Sequence, residues 1–142
     1  MYVLSLAFDP SSDEMITVAV PSARHRRLVV SRFARGDLTL SSEFEPRLAP
    51  GLKLEGEDRS VAEYVVTGAV VVDGLLYALS AAYSTLLVID FRERTVRGAY
   101  AVPELERPVG LAARGSQLLA AQADGRVAVL ERPGAESPRA DE

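Results

Sequence analysis

A basic tetrapeptide, Arg24-His25-Arg26-Arg27, contains the single histidine of the chain. Guanidinium groups bind phosphate and other anions, and a histidine can also act as a general base. The tetrapeptide falls at a predicted turn between strands, where a solvated hairpin tip explains the same charges. We therefore predict that Arg24, His25, Arg26 and Arg27 form either an anion-binding loop or a plain exposed tip, and we assign them no catalytic role.

A second candidate cluster consists of Glu55, Glu57 and Asp58. Carboxylates are hard oxygen ligands of the kind that Ca²⁺ takes, but their spacing here does not match an EF-hand loop. A solvated loop explains the same run of charges. We keep the three residues as candidate binding-loop residues, and we predict no metal site and no cofactor.

Known catalytic motifs are missing from the sequence. The absence of cysteine excludes disulfides, thiol catalysis and cysteine-based zinc sites. A Ser-His-Asp triad is formally possible, but no nucleophile-elbow motif accompanies it. Gly-rich phosphate loops and the HExxH motif are absent too. These observations favour a protein that is not an enzyme.

Composition sets the broad class. The chain has 142 residues, of which 48% are hydrophobic and 25% are charged, and this balance is typical of a globular domain with a core. Its net charge of −4 disfavours nucleic acid as a partner. Met1 is followed at once by a strand-like segment, without the pattern of a signal peptide. The compartment stays open, and one hypothesis is an extracytoplasmic domain of a longer protein.

The stretch from residue 64 to residue 102 predicts four antiparallel strands joined by three tight turns. Asp73-Gly74 separates two apolar runs and suits a type I′ turn, which requires positive φ at both central residues. The β-branched Val70, Val71 and Val72 favour an extended backbone. The first three strands are apolar throughout, whereas the fourth alternates and should lie closer to solvent.

The same stretch permits a rival interpretation. Between residues 61 and 89 the only charged side chains are Glu63 and Asp73, so hydropathy alone would allow a transmembrane helix. Asp73 would then lie near mid-membrane at a cost of roughly 2.5–3.5 kcal/mol. Because turn signals break the run at strand-like intervals, we favour strands and predict no membrane span.

Similar blocks flank the central one. Residues 1–45 predict strand, turn, strand, turn, strand, turn and strand, and residues 107–131 repeat the first three strands without a fourth. Residues 45–63, rich in Pro, Gly and charge, predict a long connecting loop with one helical turn at Ser60–Glu63, whose spacing fits a capping box. We expect one domain over residues 1–133 and a disordered polar tail over residues 134–142.

The blocks overlay as internal repeats. Ala69 and Ala112 open the second and third blocks at a spacing of 43 residues, which suits a four-stranded β-propeller blade. The second and third blocks resemble blades of the NHL/YVTN-type propeller superfamily. The resemblance rests on Pro108, Gly110, Leu111, Ala112, Gly125, Val127 and Val129.

The resemblance implies an all-β fold of about three four-stranded antiparallel propeller blades, the last lacking its outer strand. Three blades cannot close a ring, because propellers typically have about 4–8. The expected partners are therefore the remaining blades of a longer chain or a second copy. A closed sandwich or barrel is the architectural alternative.

The favoured function is a non-enzymatic binding or scaffolding module for a protein or small-molecule ligand. The alternative is part of a propeller hydrolase or lactonase whose metal ligands lie outside this chain. Gluconolactonase/regucalcin-type propellers hold their metal with acidic and Asn side chains. This sequence has no Asn, so that ligand set is incomplete.

Overall fold

A computed structural model describes residues 2–20, 27–52, 54 and 60–134 of the chain. Its strands are β1 (Tyr2–Asp9), β2 (Glu14–Val20), β3 (Val29–Ala34), β4 (Leu40–Phe44), β5 (Arg47–Leu48), β6 (Val66–Val72), β7 (Leu75–Ser80), β8 (Thr85–Asp90), β9 (Thr95–Ala101), β10 (Pro108–Arg114), β11 (Gln117–Gln122) and β12 (Val127–Glu131). A short 3₁₀ helix (Val61–Glu63) lies between β5 and β6. Among the described residues, the block 1–45 contains four strands (β1 to β4), the block 64–102 contains four (β6 to β9) and the block 107–131 contains three (β10 to β12), as predicted.

The strands form three sheets in chain order. The first sheet has the order β1-β2-β3-β4, and the third has the order β10-β11-β12. The second sheet contains β6 to β9 as an antiparallel meander, and β5 joins its outer edge by pairing parallel to β9. The fold is all-β, with three blade-like sheets, the last of which lacks an outer strand within the part of the chain that the structure describes.

The central turn has the predicted geometry. Asp73 has φ of 51° and Gly74 has φ of 77°, as a type I′ turn requires. The transmembrane interpretation is wrong, because the apolar stretch is divided among β6, β7 and β8. No helix among the described residues is long and apolar enough to cross a membrane.

Each inner strand carries a register shift at the same place. The shift lies between Val3 and Ser5 in β1, between Val66 and Gly68 in β6, and between Pro108 and Gly110 in β10. These bulges make Gly68 and Gly110 equivalent, and the repeat there is 42 residues. The sequence overlay of Ala69 on Ala112 was therefore wrong by one residue, and a one-residue slip assigns side chains to the opposite face of a strand.

The three sheets stack in series through their inner strands. β6 packs against both β1 and β10, so the second sheet lies between the other two. One buried apolar cluster joins the first and second sheets and includes Ile16, Val18, Leu76, Ala78 and Leu87. A separate cluster joins the second and third sheets and includes Tyr77, Leu79, Leu86, Leu118 and Ala120. The order of blades in space thus follows their order in sequence.

The described parts of the connection between the first and second sheets contain features that the sequence did not predict. β5 falls within it, and Leu54 is fully buried in the core between these sheets. The predicted capping box is confirmed, because Ser60 caps the 3₁₀ helix and Glu63 bonds back to the Ser60 backbone N–H. The sequence showed the turn residues of this segment but not the burial of Leu54.

Candidate functional site

A cleft of about 450 Å³ opens where the first sheet passes into the second. Two chain segments form it: the approach to β3, and the connection that carries β5 and the 3₁₀ helix. Its lining residues are Arg27, Leu28, Glu45, Pro46, Arg47, Leu48, Ser60, Val61 and Ala62. The cleft is therefore built largely by the inserted connection and not by the repeated strands.

One of the seven candidate residues lines the cleft. It is Arg27, the last residue of the basic tetrapeptide, and Ser60 of the inserted connection lines the same cleft. The other six candidate residues lie outside the described residues; they are Arg24, His25, Arg26, Glu55, Glu57 and Asp58.

An ion pair forms the polar rim of the cleft. Arg27 Nη1 lies 3.3 Å from Glu45 Oε2, and the two side chains are 54% and 53% exposed. Exposed pairs of this kind contribute only about 0–1 kcal/mol, so an incoming charged group can displace one partner at small cost. Arg47 adds a second exposed cation, so two arginines and one glutamate are the charged residues among the described lining of the cleft.

The floor of the cleft is apolar and fixed. Leu28 and Val61 are buried beneath it, and Val61 belongs to the core between the first two sheets. Ser60 accepts a hydrogen bond of 3.2 Å from the Ala62 backbone N–H, which engages its hydroxyl group in capping the helix. The arrangement can therefore bind a ligand through charge and apolar contact.

A partly buried ionic network lies between the first hairpin and the second sheet. Arg32 Nη2 lies 3.1 Å from Asp9 Oδ2 and 2.8 Å from Glu14 Oε1, and the Arg32 guanidinium lies over the Phe91 ring of the second sheet at 4.6 Å. Ser41 donates a further hydrogen bond to Glu14. The network ties the first hairpin to the second sheet, so we interpret it as structural.

The surroundings of Asp9 and Glu14 lower the pKa of each carboxyl group. Burial alone would raise the pKa of Asp9, but hydrogen bonds from Ser11 and Ser12 and the nearby Arg32 charge together lower it. The hydrogen bond from Ser41, with smaller contributions from Ser12 and Arg32, lowers the pKa of Glu14. The sequence analysis did not anticipate this network, because the β1–β2 and β2–β3 registers that bring Arg32 to Asp9 were not known.

Two apolar sheet faces are left open at the ends of the stack. The face of the first sheet that points away from the second exposes large side chains: Leu6, Phe8, Leu38 and Leu40. A hollow of about 330 Å³ lies on it. The far face of the third sheet exposes Val127 and Val129, at 61% and 52%. The sequence anticipated open blade edges but did not identify which residues form these faces.

Among the residues that the structure describes, no group of three or more His, Asp or Glu side chains could hold a metal ion.

Comparison with solved structures shows the fold. The chain is similar to BamB from Moraxella catarrhalis, with a TM-score of 0.53 and 16% identity over 89% of this chain and 30% of that one. It is similar to the WD40 repeats of RRP9, with a TM-score of 0.58 and 14% identity over 94% of this chain and 35% of that one. It is also similar to Sqt1 from Saccharomyces cerevisiae, with a TM-score of 0.51 and 12% identity over 93% of this chain and 32% of that one.

These neighbours support a β-propeller architecture for the stacked sheets. The chain spans about a third of the length of the solved structures that it matches. It matches no protein-family model, and no curated protein is similar to it in sequence.

Proposed function

We propose that this chain is a three-blade segment of a β-propeller that serves as a non-enzymatic binding or scaffolding module. The observation that supports this most directly is the pair of open apolar faces at the two ends of the stack. In a soluble protein, large exposed apolar patches mark surfaces that another structural element covers. The other blades come from the remainder of a longer chain or from a second copy.

The open ends can be tested by chemical labelling, because the chain has no cysteine of its own. Leu6→Cys and Val129→Cys place a thiol on each open face, and Ala120→Cys places one in the buried cluster between the second and third sheets. In the single chain, below any concentration at which copies associate, we expect the first two thiols to react quickly and the third to react only after unfolding. Equal protection of all three in a single copy would contradict an open-ended segment.

We propose the cleft at Arg27 as the binding surface of the module, with an acidic peptide segment as its ligand. Support comes from the cationic rim, from the weak Arg27–Glu45 pair and from the apolar floor. Arg24, His25 and Arg26 belong to this proposal as further cations of the same segment, whereas Glu55, Glu57 and Asp58 stay candidate binding-loop residues with no role in holding an acidic ligand.

A labelled peptide of alternating Glu and Leu provides the probe for this cleft, with fluorescence anisotropy as the readout. We expect binding that weakens with salt and is lost in Arg27→Glu, because screening and charge reversal both remove the attraction. The same peptide with Gln in place of Glu is the matched control ligand. Equal binding of both peptides, or binding unchanged in Arg27→Glu, would contradict the proposal.

The NHL/YVTN-type assignment is a finer part of the proposal. Its support is the run of matching residues at the start of the third block, where Pro108, Gly110 and Leu111 fall in β10. The alternative, a portion of a propeller hydrolase or lactonase, is tested with lactones and esters in the presence of Ca²⁺, Mn²⁺ or Zn²⁺. Metal-dependent turnover above the background of the metal alone would favour that alternative, and no turnover with any of the three metals would contradict it.

The domain division is also proposed: one unit over residues 1–133 and a tail over residues 134–142. The close packing of three successive sheets supports a unit of this length. Limited proteolysis should therefore trim the carboxyl terminus first and leave a resistant fragment. Early cleavage between the sheets would contradict a single unit.

A further inference from the structure

Successive sheets in this protein meet through two different kinds of face. In the second sheet, Leu76 and Ala78 face the first sheet, and the intervening Tyr77 and the following Leu79 face the third. We name the first kind the leading face and the second kind the trailing face. Both sheet junctions inside the chain therefore join the trailing face of one sheet to the leading face of the next.

The shared strand register assigns the free faces to the same two kinds. In the third sheet, Leu118 and Ala120 occupy the positions of Leu76 and Ala78, and they are buried against the second sheet. In the first sheet the corresponding residues are Met15 and Thr17, which lie on its open face. The open face of the first sheet is thus a leading face, and the open face of the third sheet is a trailing face.

We propose that the free leading face binds the free trailing face of a second copy, and that two such contacts close a six-blade ring. This inference rests on the proposed function, in which the open ends of the stack are covered by other blades. Six blades fall within the range of about 4–8 that closes a propeller. A two-fold axis makes the two new contacts identical, as in most homodimers.

The hollow on the free leading face fits this occupant. At the internal junctions the leading face carries a small residue, Ala78 or Ala120, and each is fully buried. Thr17 holds that position in the first sheet and lines the apolar hollow together with Leu6, Met15, Phe33 and Leu38. On the free trailing face, Val127 and Val129 project into solvent. The hollow of the leading face and the exposed valines of the trailing face are both apolar, so a contact between them would remove apolar surface from water.

The inner strands carry a second, independent sign of a missing neighbour. A Cβ on Gly68 would lie 2.9 Å from the backbone of Gly110 and Leu111, so the second and third inner strands touch through glycine. Gly110 occupies the same position in the next sheet, and a Cβ there would meet only Ala121, at 3.8 Å. The space beside Gly110 is where the inner strand of a following blade would lie, which is β1 of the second copy.

The test is the solution mass by light scattering after size exclusion, over a range of concentrations. We expect the native protein to have the mass of two chains. Leu6→Arg and Val129→Arg each place a charge in the proposed contact, so each should weaken self-association by on the order of tenfold or more. Tyr100→Arg is the matched control, because Tyr100 is 46% exposed on β9 and lies on neither free face; it should stay a dimer.

Three outcomes would overturn the ring: a single-chain mass at every concentration, a mass above two chains, or a dimer that both face variants leave intact. Circular dichroism checks that the variants fold, and the milder Leu6→Ser and Val129→Ser replace any that do not. If the protein is a single chain and the Leu6→Cys and Val129→Cys thiols label quickly, the pairing with a second copy is wrong. The proposed function would then stand, with blades from a longer chain covering the two open faces. Protected thiols in a single chain would overturn both.

Discussion

The hydroxyl group of Thr67 donates a hydrogen bond of 2.9 Å to the carbonyl oxygen of Pro108, which lies 41 residues further along the chain. The bond joins the inner strand of the second sheet to the inner strand of the third. Thr67→Val should therefore reduce the free energy of unfolding by about 1 kcal/mol, because it removes a partly buried hydrogen bond at nearly constant volume. Urea titration measures this, with Thr67→Ser as the control that keeps the hydroxyl group. A valine variant as stable as the native protein would show that water replaces the bond.

Two equivalent glycines should respond differently to the same substitution. Gly68→Ala forces a methyl group against the backbone of the next inner strand, and we expect a loss of about 1–3 kcal/mol, as for other overpacked sites. Gly110→Ala meets only ordinary van der Waals contact, and under conditions where the chain is a single copy its effect should stay within about 0.5 kcal/mol. Thermal or urea unfolding of the two variants side by side decides this. Equal losses would contradict the stacking of β6 against β10.

The Asp9 network should make stability depend on acid pH. The folded-state pKa of Asp9 is lowered, so the carboxylate stabilises the fold above the unfolded value of about 3.9. This contribution is lost as the pH falls from about 4 through the folded-state pKa. Asp9→Asn should be less stable than the native protein at pH 7, and the difference should shrink below about pH 4.

Urea midpoints at several pH values measure this dependence. Glu93→Gln removes one charge from an exposed turn and serves as the control. If the stability of native protein and that of Asp9→Asn differ by the same amount at pH 7 and at acid pH, the ionised carboxylate of Asp9 does not stabilise the network.

Substitutions at Leu54, in the connection that forms the cleft, and at Arg27, on the rim of the cleft, should differ in their effect on the free energy of unfolding. Leu54→Ala should destabilise the protein by about 2–5 kcal/mol, because Leu54 is fully buried between the first two sheets. Arg27→Ala should cost no more than about 1 kcal/mol, because its ion pair is exposed. Deleting residues 45–63 should therefore unfold the protein. A deletion variant with native stability would show that Leu54 and β5 contribute little to the core.

The sequence predicted the strands well because their ends carry strong local signals. Asp73-Gly74 requires a turn whatever lies around it, and the Ser60–Glu63 spacing indicates a capping box in the same way. The bulges after Val3, Val66 and Pro108 leave no such signal, since a register shift depends on the partner strand. The overlay of repeats was therefore one residue out, and the faces of the blades could not be assigned from sequence.

The candidate site was harder to predict for a related reason. Arg27 was recognised by its charge, but its proximity to Ser60 arises from the packing of two distant segments. Glu45 and Arg47 also line the cleft, and neither stood out in the sequence, because single charges in a Pro-rich loop are common. The pairing of Arg32 with Asp9 and Glu14 likewise depends on strand registers that become visible only when the sheet is formed.

The central position of the second sheet has a consequence for the dynamics of the chain. It has neighbours on both faces, and β5 covers its outer edge, whereas the first and third sheets each have one covered face. In stacked repeats, stability depends mainly on contacts between nearest neighbours, so the middle repeat opens last. Amide protons of β7 and β8 should therefore be the slowest to exchange with deuterium, and opening should begin from the two ends of the stack. A further blade at either end should therefore slow amide exchange more in the sheet that it contacts than in the second sheet.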